Sequence, residues 1–335
     1  LDADLIMLCL NHLYLSNNIY LYRETPEFIK SINSDLIPNE NYILDIPLLS
    51  EFVIKEISNT NYNDLSCEEK KNKLSDYIFL CFFLGNDFLP HFPSLNIRTN
   101  GIDILLNTYK NIIKRGETLS DGSNINWKNV KKIIESLSDN ELNNLKREYK
   151  IRDKMERYDR KESKQQRYLN IPIKNREIEK YIDPYSYNWN VRYYEKLFGI
   201  DINNYYKKKI SLNYLEGLEW TLNYYTKGCI DWRWKYNYNY PPLFFDLNKF
   251  VPLWPINLIE DNDHKCVSEL LQLAYVLPEE SNQLLPNKIL KKINNINDYY
   301  GKNNDIIWAF CKYFWESHIE LPHIDINKLE KILDL

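Results

Sequence analysis

Three aspartates have the type and spacing to bind a divalent cation. Asp2 and Asp4 are spaced D-x-D at the start of an apolar stretch, and Asp87 ends a Gly-Asn-Asp corner after the apolar run 77–84. Mg²⁺ prefers oxygen ligands, usually one or two carboxylates together with water and substrate phosphate. Two such ions can stabilise both the attacking and the leaving oxygen of a phosphodiester displacement. These residue types therefore suit metal-assisted hydrolysis of a phosphodiester.

The elements around these aspartates must position them. Two carboxylates one residue apart point the same way on a strand or in the turn leaving it, so a strand is predicted to lead into Asp2. The apolar run 77–84 predicts a buried element. A carboxylate at the end of a buried element costs free energy unless a hydrogen bond or an opposite charge compensates it. The alternative is that Asp87 caps the following turn, where Asp is common. A solvated turn or helix cap is likewise the alternative for the D-x-D pair.

Longer motifs then relate the sequence to a known family. Residues 1–8 (LDADLIML) and 79–91 (FLCFFLGNDFLPH) resemble the XRN family of 5′→3′ exoribonucleases. The resemblance continues in one order through PSLNIR (93–98), RYYEKLF (192–198), YLEGLEW (214–220), YYTKGCIDWRW (224–234), the tyrosine-rich 236–242, LQLAYVLP (271–278) and LLP (284–286). Within residues 115–187 we recognise no family motif.

This resemblance implies a fold and a division of the chain. The expected fold is mainly α with a small α/β remnant, namely the downstream part of a FEN/PIN-like nuclease core followed by a large helical domain. The implied segments are the C-terminal part of the nuclease core at 1–115, a variable charged helical connection at 116–187 and the XRN-type helical domain at 188–335.

The resemblance also implies an activity and a metal. Family members remove mononucleotides from 5′-monophosphorylated single-stranded RNA, using divalent cations (Mg²⁺ or Mn²⁺) held by a ring of acidic residues. Asp2, Asp4 and Asp87 match three of those acids and are therefore the candidate catalytic residues and metal ligands. A flap-type nuclease fragment shares this chemistry, but it does not account for the match over residues 190–286.

Part of the expected active site lies elsewhere. In family members the remaining acids and the basic pocket for the 5′ phosphate lie upstream of the D-A-D motif. We therefore expect this chain to need an N-terminal nuclease half, in cis or in trans, and to be nearly inactive alone. Like charges 4 Å apart repel by about 4 kcal/mol at an effective dielectric near 20, so the aspartates converge only if a metal cation, or a nearby Lys or Arg, offsets that repulsion.

Aromatic and basic residues are candidates for RNA contacts. The resemblance implies a stacking tryptophan at Trp232 or Trp234, and unpaired bases stack on aromatic faces for about 1–3 kcal/mol each. The alternative for either is packing in the core. Lys207 and Lys208, in a run of lysines, are candidate phosphate contacts, with a solvated helix face as the alternative. If the aspartates are vestigial, the chain is instead a non-catalytic RNA- or protein-binding helical module.

Composition limits the class of protein. The net charge of −4 is not that of a basic nucleic-acid binder, although binding depends on local patches rather than on the total charge. The six cysteines include no C-x-x-C pair, which favours a reducing compartment over a zinc site. No apolar run is long enough to span a bilayer, so no membrane partner is expected. The expected location is cytoplasmic, with the nucleus as the alternative.

Periodicity predicts mostly helices. Apolar residues recur at helical spacing over 102–113, 130–137, 212–225 and 267–274. Short strands are predicted near 20–23 and 41–46. Residues 146–167 carry many charges of both signs and few apolar anchors, which predicts an exposed helix or a loosely ordered connection.

Overall fold

The structure is a computed structural model that describes residues 3–24, 33–158, 163–201, 203–260, 265–296, 299–301 and 305–334. Its helices are α1 (Ala3–Asn11), α2 (Ile46–Ile57), α3 (Cys67–Cys81), α4 (Gly101–Ile112), α5 (Trp127–Arg157), α6 (Lys164–Leu169), α7 (Ile171–Lys174), α8 (Glu177–Ile182), α9 (Trp189–Phe198), α10 (Asn204–Thr226), α11 (Phe244–Phe250), α12 (Glu269–Val276), α13 (Asn287–Ile293) and α14 (Ile326–Leu333). Its strands are β1 (Tyr20–Glu24), β2 (Asn41–Asp45), β3 (Ile306–Ile307) and β4 (His318–Ile319).

The predictions of secondary structure are confirmed in most places. All four periodic segments correspond to helices (α4, α5, α10 and α12), although residue 113 and residues 267–268 lie just outside them, and the mainly α fold is as expected. The two predicted short strands are β1 and β2, which pair antiparallel with Tyr22 opposite Ile43. Asp2 and any strand entering it lie outside the described residues. Asp4 lies in the first turn of helix α1.

Two compact units divide the described chain. Unit 1 takes its residues from Leu1–Glu148, Ile202–Ile230 and Tyr236–Glu260. Unit 2 takes its residues from Tyr149–Asp201, Asp231–Lys235 and Asp261–Leu335. These units are defined by how compactly their residues pack. The predicted division at 115 and 187 is based instead on resemblance to family segments, and it stays a prediction. The presence of a nuclease-core remnant also stays a prediction.

The core of unit 1 is built on the apolar run before Asp87. Helix α3 begins with a capping box between Ser66 and Glu69, and the run passes into a 3₁₀ turn at Phe82–Leu84. All three residues of that turn are buried. The Phe92 ring stacks on the Phe244 ring of α11 at a centroid distance of 3.7 Å. The prediction of a buried element ahead of Asp87 is therefore confirmed.

Helix α10 is the other main support of unit 1. Its 23 residues include a long buried stretch from Ile210 to Tyr225 that packs against α11. The Tyr214 hydroxyl donates a 3.1 Å hydrogen bond to the carbonyl of Pro90, which fixes the loop after the Gly-Asn-Asp corner on the helix. Helix and corner therefore hold each other in place.

The charged segment at 146–167 corrects one prediction. It is helical as far as Arg157, but Glu148, Tyr149 and Arg152 are buried rather than exposed. In unit 2, Arg152 donates through Nε and Nη2 to the buried carboxylate of Glu179, which also accepts from Nε of Arg176 at 2.6 Å. Burial is possible because these charges are paired and hydrogen-bonded to each other. Residues 159–162 lie outside the described part.

A separate apolar cluster holds the last helices of unit 2. Residues of α12, α13 and α14 form it with Tyr299, and Leu329 and Leu333 of α14 are almost completely buried there. The Tyr299 hydroxyl donates to the carbonyl of Ala274 at 2.8 Å. Within the described ranges, no helix combines the length and the apolar content needed to cross a lipid bilayer.

Candidate functional site

The Gly-Asn-Asp corner presents Asp87 to solvent. Gly85 has a φ of +89°, and a Cβ there would lie 2.9 Å from the backbone nitrogen and from Cβ of His91, so only glycine fits. The Oδ1 atom of Asn86 accepts hydrogen bonds from the backbone N–H groups of Phe88 and Leu89, each at 2.9 Å. Asn86, not Asp87, therefore caps the turn.

Asp87 itself is exposed. Within the described part of the chain, no lysine or arginine side chain forms an ion pair with it. An exposed carboxylate whose turn is already capped by its neighbour does not serve the local fold. It therefore remains available to a ligand.

Asp4 is held by a tyrosine far along the chain. It lies in the first turn of α1, half-buried, and its Oδ1 atom accepts a 2.7 Å hydrogen bond from the hydroxyl of Tyr225. The last residue of the same helix, Asn11, donates from Nδ2 to the carbonyl of Tyr225 at 2.9 Å. Both ends of α1 are therefore tied to the end of α10.

The corner contacts the same end of α10. The ring of Phe88, next to Asp87, packs edge-on against Trp220 at 4.7 Å and against Tyr224 at 5.2 Å between centroids. The ring of Tyr225 contacts Phe82, at the start of the turn before the corner, at 5.4 Å. The structure thus places Asp4 and the Gly-Asn-Asp corner against the last two turns of one helix.

Asp4 and Asp87 are of the residue type that Mg²⁺ binds in proteins. Among the described residues no three or more His, Cys, Asp or Glu side chains are grouped closely enough to hold a metal ion. Two aspartates with water and phosphate oxygens are nevertheless an ordinary ligand set for Mg²⁺, which binds through few protein carboxylates. Asp2, the third predicted ligand, lies outside the described residues.

The two candidate stacking tryptophans differ in exposure. In unit 2, the side chain of Trp232 is 61% exposed, whereas Trp234 is half-buried. Arg233 between them donates from Nη1 and Nη2 to the two carboxylate oxygens of Glu330, at 2.9 and 3.0 Å. That hydrogen bonding holds the pKa of Glu330 below its ordinary value. Of the pair, Trp232 has the accessible ring.

The two candidate lysines also differ. In unit 1, Nζ of Lys207 lies 3.1 Å from both carboxylate oxygens of the buried Asp246, so this lysine balances a buried charge. Lys208 is exposed. Lys208 is therefore the better placed of the two for a phosphate contact.

Two residues of these arrangements were not identified from the sequence as functional. Tyr225 belongs to the YYTKG part of a family-like motif, but no local pattern indicates that its hydroxyl bonds Asp4. Glu330 sits in a short amphipathic helix 97 positions after Arg233, and nothing nearby in the sequence indicates that pairing. Both contacts depend on tertiary structure.

Comparison with known proteins decides the family. The family model described as the Xrn1 helical domain matches residues 68–184 and 174–334, which together cover most of the chain. The chain belongs to the XRN family. This membership agrees with the resemblance found in the sequence motifs.

Individual XRN relatives are similar over most of this chain. A 5′-3′ exoribonuclease 2 homolog of Drosophila melanogaster is 28% identical over 311 aligned positions, which cover 78% of this chain and 34% of the relative. The 5′-3′ exoribonuclease 2 of Gallus gallus is 26% identical, covering 79% and 35%. The 5′-3′ exoribonuclease 1 of Schizosaccharomyces pombe is 24% identical, covering 98% and 33%. The chain thus spans about a third of the length of these relatives.

Proposed function

We propose that this chain is part of a 5′→3′ exoribonuclease that hydrolyses RNA from a 5′-monophosphate end with a divalent metal. The observation that carries the proposal is the placement of Asp4 and the Asp87 corner against the same two turns of α10. The names of the XRN relatives support the reaction type.

Each aspartate has a role in this proposal. Asp4 and Asp87, together with Asp2, would hold Mg²⁺ or Mn²⁺. When bound, such ions stabilise the attacking and leaving oxygens of a phosphodiester displacement. Tyr225 would keep the Asp4 carboxylate in one orientation through its hydroxyl. The capped turn at Asn86 would keep Asp87 pointing to solvent.

Other residues would contact the RNA strand. The exposed ring of Trp232 offers a surface on which any base can stack, which suits an enzyme that must accept every nucleotide in turn. Lys208 can contact a phosphate as a point charge. Trp234 and Lys207 are weaker candidates because one is half-buried and the other is paired with Asp246.

The chain would act with an upstream nuclease half, in cis or in trans. Two or three aspartates cannot by themselves build a clamp for two metal ions, because holding two divalent cations close together takes further negatively charged ligands to offset the repulsion between the cations. We therefore expect the isolated chain to bind a divalent ion weakly and to degrade RNA very slowly.

The deciding experiment compares two acidic residues of unit 1. The chain is expressed together with an N-terminal nuclease half, and degradation of 5′-phosphorylated single-stranded RNA is followed in Mg²⁺. We expect Asp87→Ala to reduce the rate at least about 100-fold, a size typical of losing a group that stabilises the transition state. Asp103→Ala, which removes an exposed acid from helix α4, is the matched control and should change the rate less than twofold.

Two results would contradict the proposal. The first is equal activity of the Asp87→Ala and Asp103→Ala proteins, and the second is rapid degradation of RNA by the isolated chain after Asp87→Ala. RNA binding that persists without any metal-dependent cleavage, with the nuclease half present, would favour the non-catalytic binding module instead.

A further inference from the structure

A single arginine fixes the segment that carries Trp232. Within unit 2, the guanidinium of Arg233 forms a two-pronged pair with Glu330, and its Nη1 also donates to Oδ1 of Asn327 at 2.5 Å. Its Nε donates to the carbonyl of Lys265 at 3.3 Å. The side chain is therefore held at three places in the C-terminal part of the chain.

The backbone at this point is fixed as well. The N–H of Arg233 donates to Oδ1 of the buried Asp231 at 2.8 Å, which forms a tight turn around Trp232. The residues on both sides of Trp232 are thus held, while its own ring remains exposed. The anchored backbone fixes the direction of the Cα–Cβ bond of Trp232, which limits the positions that its exposed ring can take.

The carboxylate that receives Arg233 stands on an anchored helix. Helix α14 is capped by Asp325, whose Oδ1 accepts from the N–H groups of Asn327 and Lys328. Its other face buries Leu329 and Leu333 in the apolar cluster of unit 2. Glu330 is therefore held in place without Arg233, whereas the guanidinium of Arg233 depends on Glu330 for two of its hydrogen bonds.

We propose that the pair formed by Arg233 and Glu330 positions the exposed ring of Trp232 for stacking on an unpaired base of single-stranded RNA. This inference rests on the proposed function, because it requires that Trp232 contacts RNA. Arg233 and Glu330 are positioning residues in it, and neither touches the base.

The ion pair between Arg233 and Glu330 is better suited to positioning the Trp232 ring than to stabilising the folded protein. Its side chains are 18% and 29% exposed, and ion pairs with such access to water contribute little to the free energy of unfolding. A two-pronged contact between a guanidinium and a carboxylate does, however, fix geometry. If the pair is broken, the ring spends only part of its time in the binding orientation, and the apparent dissociation constant rises by the inverse of that fraction.

The test measures binding of the full chain to a fluorescently labelled single-stranded RNA by anisotropy. We expect Trp232→Ala to weaken binding about tenfold, the loss of one stacked base. Glu330→Gln should weaken it about three- to fivefold with an unchanged melting temperature, because the ring is retained but less ordered. Glu320→Gln, which alters an exposed acid elsewhere in unit 2, is the control and should have no effect.

An abasic oligonucleotide separates positioning from general structure. The effect of Glu330→Gln should disappear on this probe, since it offers phosphates but no base to stack. The effect should also disappear in the Trp232→Ala background, because the two residues then act as one unit. A merely structural role would weaken binding of both probes alike and would persist without Trp232.

The outcomes distinguish this inference from the proposed function. If Trp232→Ala leaves RNA binding unchanged, the stacking role in the proposed function is wrong, and the inference falls with it. If Trp232→Ala weakens binding while Glu330→Gln does not, only the inference is overturned. If Glu330→Gln lowers the melting temperature, the charge-swapped protein R233E/E330R is tested instead. Restored RNA binding by this protein in its folded state supports the inference. A folded R233E/E330R protein that does not regain RNA binding overturns the inference.

Discussion

The hydroxyl of Tyr225 donates a 2.7 Å hydrogen bond to Oδ1 of Asp4, across 221 positions of the chain. This contact joins the first turn of α1 to the end of α10, where the Gly-Asn-Asp corner also packs. A hydroxyl in this position orients a carboxylate before any ligand arrives. It therefore links the helical part of the chain to the residues proposed to bind metal.

Removing that hydroxyl should impair catalysis without unfolding the protein. Tyr225→Phe retains the ring contact with Phe82 but leaves Asp4 without this donor. Partners that orient a metal ligand typically contribute about 10- to 100-fold in metal affinity or activity, and we expect a loss of that size. The measurement is the rate of RNA degradation against Mg²⁺ concentration, with the nuclease half present.

The neighbouring tyrosine provides the control. Tyr224→Phe removes a hydroxyl from a ring that stacks on Trp220, and its rate should stay within twofold of the unaltered protein. Equal rates for the two variants would show that the hydroxyl of Tyr225 does not orient a functional carboxylate.

Gly85→Ala should destabilise unit 1. The residue has φ of +89° and ψ of 149°, a region essentially restricted to glycine, and an added Cβ would lie 2.9 Å from Cβ of His91. Backbone strain of this kind costs about 1–3 kcal/mol, and the steric contact adds to it. Urea denaturation of the full chain measures the change in the free energy of unfolding.

A second glycine with positive φ provides a comparison that lacks the steric contact. Gly116 also has positive φ, at +84°, but an added Cβ there meets nothing within 4 Å. Gly116→Ala should therefore be less destabilising than Gly85→Ala. The structural account of the corner fails if the two variants unfold at the same urea concentration.

Loss of Glu179 should be among the most destabilising single changes in unit 2. Glu179→Ala leaves Arg152 and Arg176, both buried, without the carboxylate that they share. Removing one partner of a buried ion pair costs about 3–5 kcal/mol, whereas an exposed pair contributes about 1 kcal/mol or less. Thermal unfolding of Glu179→Ala should therefore begin well below that of Glu51→Ala, which removes the exposed partner of Lys55. Similar melting temperatures would contradict a stabilising role for the buried charges.

Stability should decrease as the pH rises from about 4.5 to 8. Burial raises the pKa of Glu141 from 4.5 to about 8, although hydrogen bonds from the N–H groups of Phe244 and Phe245 favour its ionised form. Burial likewise raises the pKa of Asp76 from 3.8 to about 6. The folded state holds these protons more tightly than the unfolded state, so the stabilisation is complete below the unfolded pKa and is lost as the pH rises through the folded value.

The variant Glu141→Gln measures how much of this pH dependence comes from Glu141. A single group of this kind changes the free energy of unfolding by at most about 1.4 kcal/mol per pH unit between its two pKa values. Denaturation at pH 5, 6.5 and 8 should show a shallower decline for Glu141→Gln than for the unaltered chain. Parallel declines would mean that Glu141 titrates near its ordinary value in the folded protein.

Local features of this protein were predictable, and long-range ones were not. The buried run before Asp87 and the amphipathic helices follow from apolar spacing. The sequence indicated a turn after that run, but it offered Asp87 rather than Asn86 as the residue that caps it. The partners of Asp4 and Arg233 lie 221 and 97 positions away, and no local pattern encodes such pairings. The burial of Arg152 was missed for the same reason, because its partner Glu179 belongs to another helix.

The interleaving of the two units limits how the chain can be shortened. Residues of unit 1 continue to Glu260, after unit 2 has already received Tyr149–Asp201 and Asp231–Lys235. A deletion from either terminus that removes one unit completely must therefore also remove segments of the other. A stop codon between Glu148 and Glu260 would leave a fragment in which unit 1 is incomplete, and a protease cut there would divide unit 1 between two fragments.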